Sequence, residues 1–392
     1  MAQRLHRLAL VVGALAAGCG AEGDLDERAV AEPVGRVQDL SLLALPGGAM
    51  AIGWRESVSP NDANARAAFL RLAGRTVPVQ RDENESTAAS ELVATEGTIL
   101  RVLAERDEED PDDWGLVVVV RDIETGELLP DLGYRTLPVF AGAALTDLHL
   151  VPAPNGALLA WIERAGDDPP ADLVHLVALD EQGSPAGPPL ALTELPTDVP
   201  RIDLAALTGG QQAVLIALAR RGESAQVWMF HLRVDDGVSL EQEPRQLDAQ
   251  VSEEDRVVDL ERGGDCLELV TTRRGHPVRA TIDLVAPAAI QFQALHEREG
   301  DDPGVAPRLA AGAGGDLLYL YDRPDAETRV RVIQHGAGCE ARVGGDRHFP
   351  LSRRRCAELA TQPGDPLPYA CAASCLTRGC GEQWIYFGRA RY

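Results

Sequence analysis

Apolar residues in this chain come in short runs of four to eight, broken at nearly regular intervals by a glycine turn and opened by an acidic or polar residue followed by leucine. Six segments share the plan: Asp39-Leu40 with Gly47-Gly48, Glu91-Leu92 with Glu96-Gly97, Asp147-Leu148 with Asn155-Gly156, Asp203-Leu204 with Gly209-Gly210, Asp259-Leu260 with Gly263-Gly264, and Arg308-Leu309 with Gly314-Gly315. Their first residues lie 52, 56, 56, 56 and 49 apart. Asn-Gly and Gly-Gly between apolar runs supply the positive φ of tight hairpin turns, so each segment predicts two antiparallel strands. Second strands read at 49–55, 157–163 and 316–322. Third strands read at 115–122, 173–180, 226–234 and 328–334, and 188–193 gives a fourth.

Four short strands every 49–56 residues, with no amphipathic helix between them, is the pattern of a β-propeller blade. One such sheet cannot bury both faces; sheets stacked around an axis bury each other, and closing the ring leaves only short edges. A seventh unit is expected from Ala370 to Cys375, the turn Arg378-Gly379-Cys380-Gly381 and the run Gln383 to Phe387, irregular and 66 residues beyond the sixth turn. The expected fold is therefore all-β, a propeller of seven blades, with six blades plus a disulfide-bonded C-terminal cap as the alternative. Residues 29–37 or 384–392 could supply a terminal strand that clasps the ring shut.

Composition narrows the partners. The 392 residues carry a formal charge of −24, and a body this acidic repels nucleic acid and anionic headgroups. Residues 301–392 hold 12 Arg against 11 acids, so the charge sits almost entirely in the first 300 residues. Every basic residue is arginine; with no lysine, a Schiff base or a lysine general base is excluded.

The first 19 residues follow a charge–apolar–small order, with Arg4 and Arg7, an apolar run to Ala17, then Gly18-Cys19. The run is too short to span a bilayer, and the order reads as a secretory signal. It resembles the lipobox of bacterial lipoproteins, which implies cleavage before Cys19, lipidation of that cysteine, and, because Gly20 rather than Asp follows it, the outer membrane. The domain reading is a signal over 1–18, a lipidated cysteine and acidic tether over 19–35, and a propeller over 36–392 whose last unit, about 339–392, is rich in cysteine. The whole is similar to propeller lipoproteins of the bacterial envelope, a likeness that implies an unidentified protein or glycan partner, membrane contact through the anchor alone, and a monomer.

The other six cysteines, Cys266, Cys339, Cys356, Cys371, Cys375 and Cys380, form an even set in an exported chain, which favours disulfides over thiols or metal. Propeller topology brings the inner hairpin at Cys266 beside the outer hairpin at Cys339 of the next blade, and that pair is the expected bridge. The remaining four would staple the last unit.

Five carboxylates, Asp39, Glu91, Asp147, Asp203 and Asp259, recur at one position of the repeat. On innermost strands they would ring one mouth of the channel and could bind a cation, calcium included, or a cationic ligand. Otherwise they are strand-entry residues bonded to local backbone. The acidic loops at 107–113, 166–169 and 300–303 lack the spacing that wraps calcium. Gly-x-Ser-x-Gly, His-Glu-x-x-His and a Gly-rich phosphate loop are all missing, and the histidines are scattered singly. The leading expectation is a non-enzymatic binding or scaffold propeller with no cofactor. The alternative is a glycan-active or hydrolytic propeller without a recognisable motif.

Overall fold

A computed structural model describes residues 28–31, 33, 37–59, 62–73, 80–81, 87–106, 114–138, 144–165, 171–196, 198–207, 211–221, 224–251, 257–263, 266–273, 276–283, 292–295, 305–311, 316–322, 328–336, 339–345, 347–348, 356–362, 366–374 and 383–390. They form seven antiparallel sheets. The fold is an all-β propeller, and among the described residues the lone helical element is a single turn at Pro46–Gly48.

The first strands of the seven sheets are Val37–Ala44, Thr87–Ala94, Ala144–Ala153, Asp198–Ala206, Val257–Gly263, Val305–Ala311 and Cys356–Thr361. In sheets one to six the later strands follow outward in chain order, and in the fourth and sixth a fifth strand pairs the third beside the fourth. The first strand of the seventh sheet touches that of the first, and contact then runs sequentially from sheet one to sheet six. These strands therefore line the axis.

The seventh sheet has a different origin. Its order is Cys356–Thr361, Leu367–Ser374, Gln383–Ala390, and outermost Arg28–Ala31 from the other end of the chain. The pairing Arg28↔Phe387, Ala29↔Tyr386 and Ala31↔Ile385 is the expected clasp, made by both terminal stretches together. The clasp strand Arg28–Ala31 thus lies inside the stretch read as tether.

The seventh unit needs a correction. Ala370 to Ser374 belongs to its second strand and Gln383–Ala390 is its third, so the expected turn at Arg378–Gly381 falls between those two strands in the sequence and lies outside the described residues. The first strand carries Glu358-Leu359, 50 residues after Arg308-Leu309, and with it the repeat becomes regular. The dipeptide signal is present in the sequence, but the crowding of cysteines and glycines downstream resembles a first hairpin one strand too late.

The core lies between sheets, as stacking demands. Sheets three and four enclose Leu158, Ile162, Leu176, Leu204, Leu215 and Phe230, and sheets two and three enclose Val102, Val118, Val120, Leu159, Trp161 and Leu179. Each sheet buries both faces, which explains near-continuous apolar runs such as Leu116 to Val120, all buried. Trp54 and Trp161 are buried and stack on Phe69 and His175, cross-strand partners in register, so both fill space between sheets. Trp228 is half-buried, and Trp114, half-buried too, lies under the Arg106 guanidinium. The Trp384 side chain falls outside the described residues.

Candidate functional site: a carboxylate cluster on the axis

All seven first–second strand pairings shift register once, at or just ahead of the acidic position of the repeat: at 38/41, 87/89, 145/147, 198/201, 257/259, 305/308 and 356/358. A bulge re-aims the residue it contains. At Asp39 it takes the form of a positive φ, +49°, which a short polar side chain tolerates. Beyond the bulge, alternation puts Asp147 and His149 on the face opposite the buried Leu148 and Leu150.

Four of the five predicted carboxylates, Asp39, Glu91, Asp147 and Asp203, meet in one electrostatic cluster with His149 and Arg201. The Asp259 side chain lies outside the described residues. Three of these acids are partly committed. An Asp39 oxygen lies 2.8 Å from Arg55 Nε, and Arg55 Nη1 donates to Thr87 O of the next sheet at 2.9 Å. Asp147 accepts from its neighbour Leu148 N at 3.1 Å and from Ile202 N of sheet four at 3.0 Å, while Asp203 accepts from Leu204 N at 2.9 Å. His149 Nε2 is 3.4 Å from Asp147, and its Nδ1 is 4.0 Å from Asp203. Two arginines and a histidine among the acids replace the uniformly negative ring expected from the sequence. Among the described residues, no three His, Cys, Asp or Glu side chains converge closely enough to hold a metal ion.

Burial splits the protonation of these groups. It pushes Glu91 up to about 7, His149 opposing and the charges of Asp39, Asp147 and Asp203 adding to the rise. Burial would raise Asp147 also, but the His149 ring 3.4 Å away, the Ile202 N–H and Arg201 together hold it below the usual carboxylate range. For His149 burial disfavours the charge, yet the Asp147 carboxylate 3.4 Å away, helped by Asp203 and Glu91, pushes it up to about 9. Asp203 is raised by burial despite His149, Arg201 and the Leu204 N–H. Near neutrality the site therefore holds a carboxyl part-way through its titration, an ionised carboxylate and an imidazolium.

His149 was missed as a site residue, although Asp-Leu-His on an innermost strand places it beside Asp147 by alternation alone. His175 and His231 sit on third strands as expected; burial depresses both, and His175 lies 3.6 Å from Glu163. The Cys266–Cys339 disulfide is present, joining sheets five and six across a sequence separation of 73. Cys371 is disulfide-bonded as well. The side chain of Cys356 lies outside the described residues, as do Cys19, Cys375, Cys380, the acidic loops and Arg353–Arg355.

No protein-family model and no curated protein matches the chain. Solved structures do. A prolyl endopeptidase is 18% identical with a TM-score of 0.51, covering 88% of this chain and 46% of that one, so the chain spans about half its length. The β-propeller domain of the trilobed protease from Pyrococcus furiosus is 10% identical at 0.51, over 89% and 94%. Polysaccharide lyase Uly1 is 9% identical at 0.57, over 89% of each chain. At these identities the likeness shows a shared propeller fold.

Proposed function

We propose that this chain is a propeller enzyme that hydrolyses a glycan at the axial cluster, its seven sheets being seven blades of one ring. The observation that carries the reading is the opposed protonation of Glu91 and Asp147. Cleaving a glycosidic bond takes one carboxyl that donates a proton near neutral pH and one that stays ionised, and separated pKa values mark such a pair. Glu91 delivers its proton to the leaving oxygen. Asp147, ionised against His149 and the Ile202 N–H, supports the positive charge that develops at the sugar carbon or activates the attacking water. His149 maintains that ionisation. The match to a polysaccharide lyase over 89% of each chain, at a TM-score of 0.57, supports a glycan substrate. The charge of −24 favours a neutral polymer over an acidic one.

Release of reducing ends from xylan, arabinan, cellulose and chitin oligosaccharides, with hyaluronan and alginate as acidic comparators, tests the proposal. Activity on a neutral polymer is expected, falling above about pH 7 as Glu91 loses its proton, and dropping at least about a hundredfold in Glu91→Gln and Asp147→Asn. No release from any polymer, or release unchanged in Glu91→Gln, overturns it. Such a result would favour the second reading, a non-enzymatic binding propeller, whose specific support is the Asp147–Ile202 bond tying sheets three and four.

The same proposal places the ring outside the cytoplasm, anchored through Cys19. The Cys266–Cys339 bridge supports an oxidising compartment. Radiolabelled palmitate should enter the wild-type protein and not Cys19→Ala.

A further inference from the structure

Away from the axis, one fully buried carboxylate has no part in the cluster. Glu268 lies on the second strand of sheet five, Cys266–Arg273, with its side chain wholly inaccessible. On that strand Leu267 and Leu269 pack toward sheet four, whereas Val270 packs against Leu317, Tyr319 and Ile333 of sheet six. By alternation Cys266 and Glu268 share Val270's face, the one turned to sheet six. Across the seam, the third strand Thr328–His335 presents Ile333 and His335 on one face, and Cys339 follows in the hairpin before Ala341–Val343. Three rungs thus cross the seam in order: the apolar contact at Val270, the ion pair from Glu268 Oε1 to His335 Nε2 at 2.9 Å, and the Cys266–Cys339 disulfide.

Glu268 is prepared for its partner from its own sheet. Arg279 Nη1 donates to Glu268 Oε1 at 3.0 Å and Thr281 Oγ1 donates to the same oxygen. Arg279 is fixed in turn by Gln293, which accepts from Nη2 at 2.7 Å. Glu268 Oε2 and His335 Nδ1 are buried with no hydrogen-bond partner. The carboxylate is therefore balanced by Arg279 even without His335, and the histidine is its one partner from sheet six among the described residues. Removing His335 leaves a compensated charge, a much smaller penalty than stranding one alone.

We infer that the hairpin of sheet six is held to sheet five by a two-part latch, of which reducing conditions open one part and leave the other. In the redox step an external dithiol gives two electrons and two protons, the S–S bond breaks, Cys266 and Cys339 become thiols, and the reductant becomes its own disulfide. The Glu268–His335 pair persists through that step and keeps the hairpin seated. His335, Cys339 and the strand Ala341–Val343 detach only when both parts are released, which makes this seam the ring's conditional opening.

Hydrogen exchange of peptides spanning 328–343 tests the latch in four samples of the full chain: wild type and His335→Ala, each oxidised and after dithiothreitol. Exchange in reduced wild type and in oxidised His335→Ala should stay within about threefold of oxidised wild type, while reduced His335→Ala should exchange at least about tenfold faster across this segment and not across sheet three. His335→Gln, which keeps a donor, should remain protected after reduction. Fast exchange in reduced wild type, slow exchange in reduced His335→Ala, or fast exchange in reduced His335→Gln each overturns the proposal.

Discussion

Replacing His149 by Gln keeps a hydrogen-bond donor beside Asp147 and removes the charge, so the variant isolates the imidazolium's contribution. In the folded ring the imidazole is pushed from 6.5 up to about 9. A group whose pKa is higher folded than unfolded adds stability that is fully present below the unfolded value and lost as pH rises through the folded one. The window is therefore pH 6.5 to about 9. At about 1.4 kcal/mol per tenfold in proton affinity, the rise corresponds to roughly 3 kcal/mol. The His149 side chain is only 19% exposed, so solvent screening removes little of it. Urea unfolding of wild type and His149→Gln at several pH values across the window cancels the background from acids remote from His149, leaving its own titration and that of the cluster it touches. That difference should grow by about 2–3 kcal/mol as pH falls from 9 to 6.5 and level off below. In parallel, the His149 ring protons should titrate by nuclear magnetic resonance well above 6.5. A flat difference across the window, or an imidazole titrating at its ordinary value, would refute the charged cluster, and with it the account of why Asp147 stays ionised.

Other perturbations read the scaffold. Replacing Cys266 and Cys339 with Ser together removes a cross-link spanning 73 residues, which should cost about 4 kcal/mol in the chain-entropy description; a loss under about 1 kcal/mol in denaturant unfolding would count against it. Gly156 has a φ of +148°, and a Cβ there would come within 2.2 Å of Leu179 O, so Gly156→Ala should destabilise by about 2–3 kcal/mol, with wild-type thermal unfolding as the counter-result. Starting the chain at residue 32 deletes the outermost strand of the seventh sheet; losing its three paired positions should cost about 3 kcal/mol and speed hydrogen exchange in Gln383–Ala390, and unchanged protection there would show that the clasp is not needed.

The ring was legible because its signal is repeated. One polar residue followed by Leu with a glycine turn means little, but six, five of them acidic, at nearly fixed spacing force an account in stacked sheets, and the second strands ran within a few residues of expectation. The seventh unit was harder only because Glu358-Leu359 is followed by Gln362-Pro363-Gly364 in place of a plain double-glycine turn. Convergence of Asp39, Glu91, Asp147 and Asp203 was legible for the same reason: equivalent positions on stacked sheets face one axis. Their protonation was not. It depends on which cations reach the axis, and those come from unlike places in the repeat: Arg55 from a second strand, Arg201 two residues before an acid, His149 two residues after one. No periodicity announces them. The Glu268 network is similarly silent in sequence, since Arg279, Thr281, Gln293 and His335 sit on three further strands and become neighbours only through registers set by apolar contacts.

A pseudo-symmetric ring poses a problem that its own residues resolve. If every unit carried an acid at the same place and nothing else changed, all would share one environment and rise together, since like charges at close range oppose each other's ionisation. Distinct chemistry at one unit requires the repeat to be broken there. Two residues after the acidic position, the seven units read Ser41, Val93, His149, Ala205, Glu261, Ala310 and Ala360. The single base in that series stands in sheet three, beside the acid held below its usual range, and one sheet away from the acid that burial raises to about 7. The backbone ties from Asp147 to Ile202 and from Arg55 to Thr87 need no such asymmetry, because any carboxylate or guanidinium of the right reach would make them. Structural closure of the ring therefore accounts for the acids, and it leaves His149 unexplained. Partial burial of a base that must be charged to be tolerated there is a cost that a pure scaffold would shed by having alanine, as three of the other six units do. The histidine is thus the residue that separates a site from a seam, and its pH dependence is where the two readings of the axis diverge.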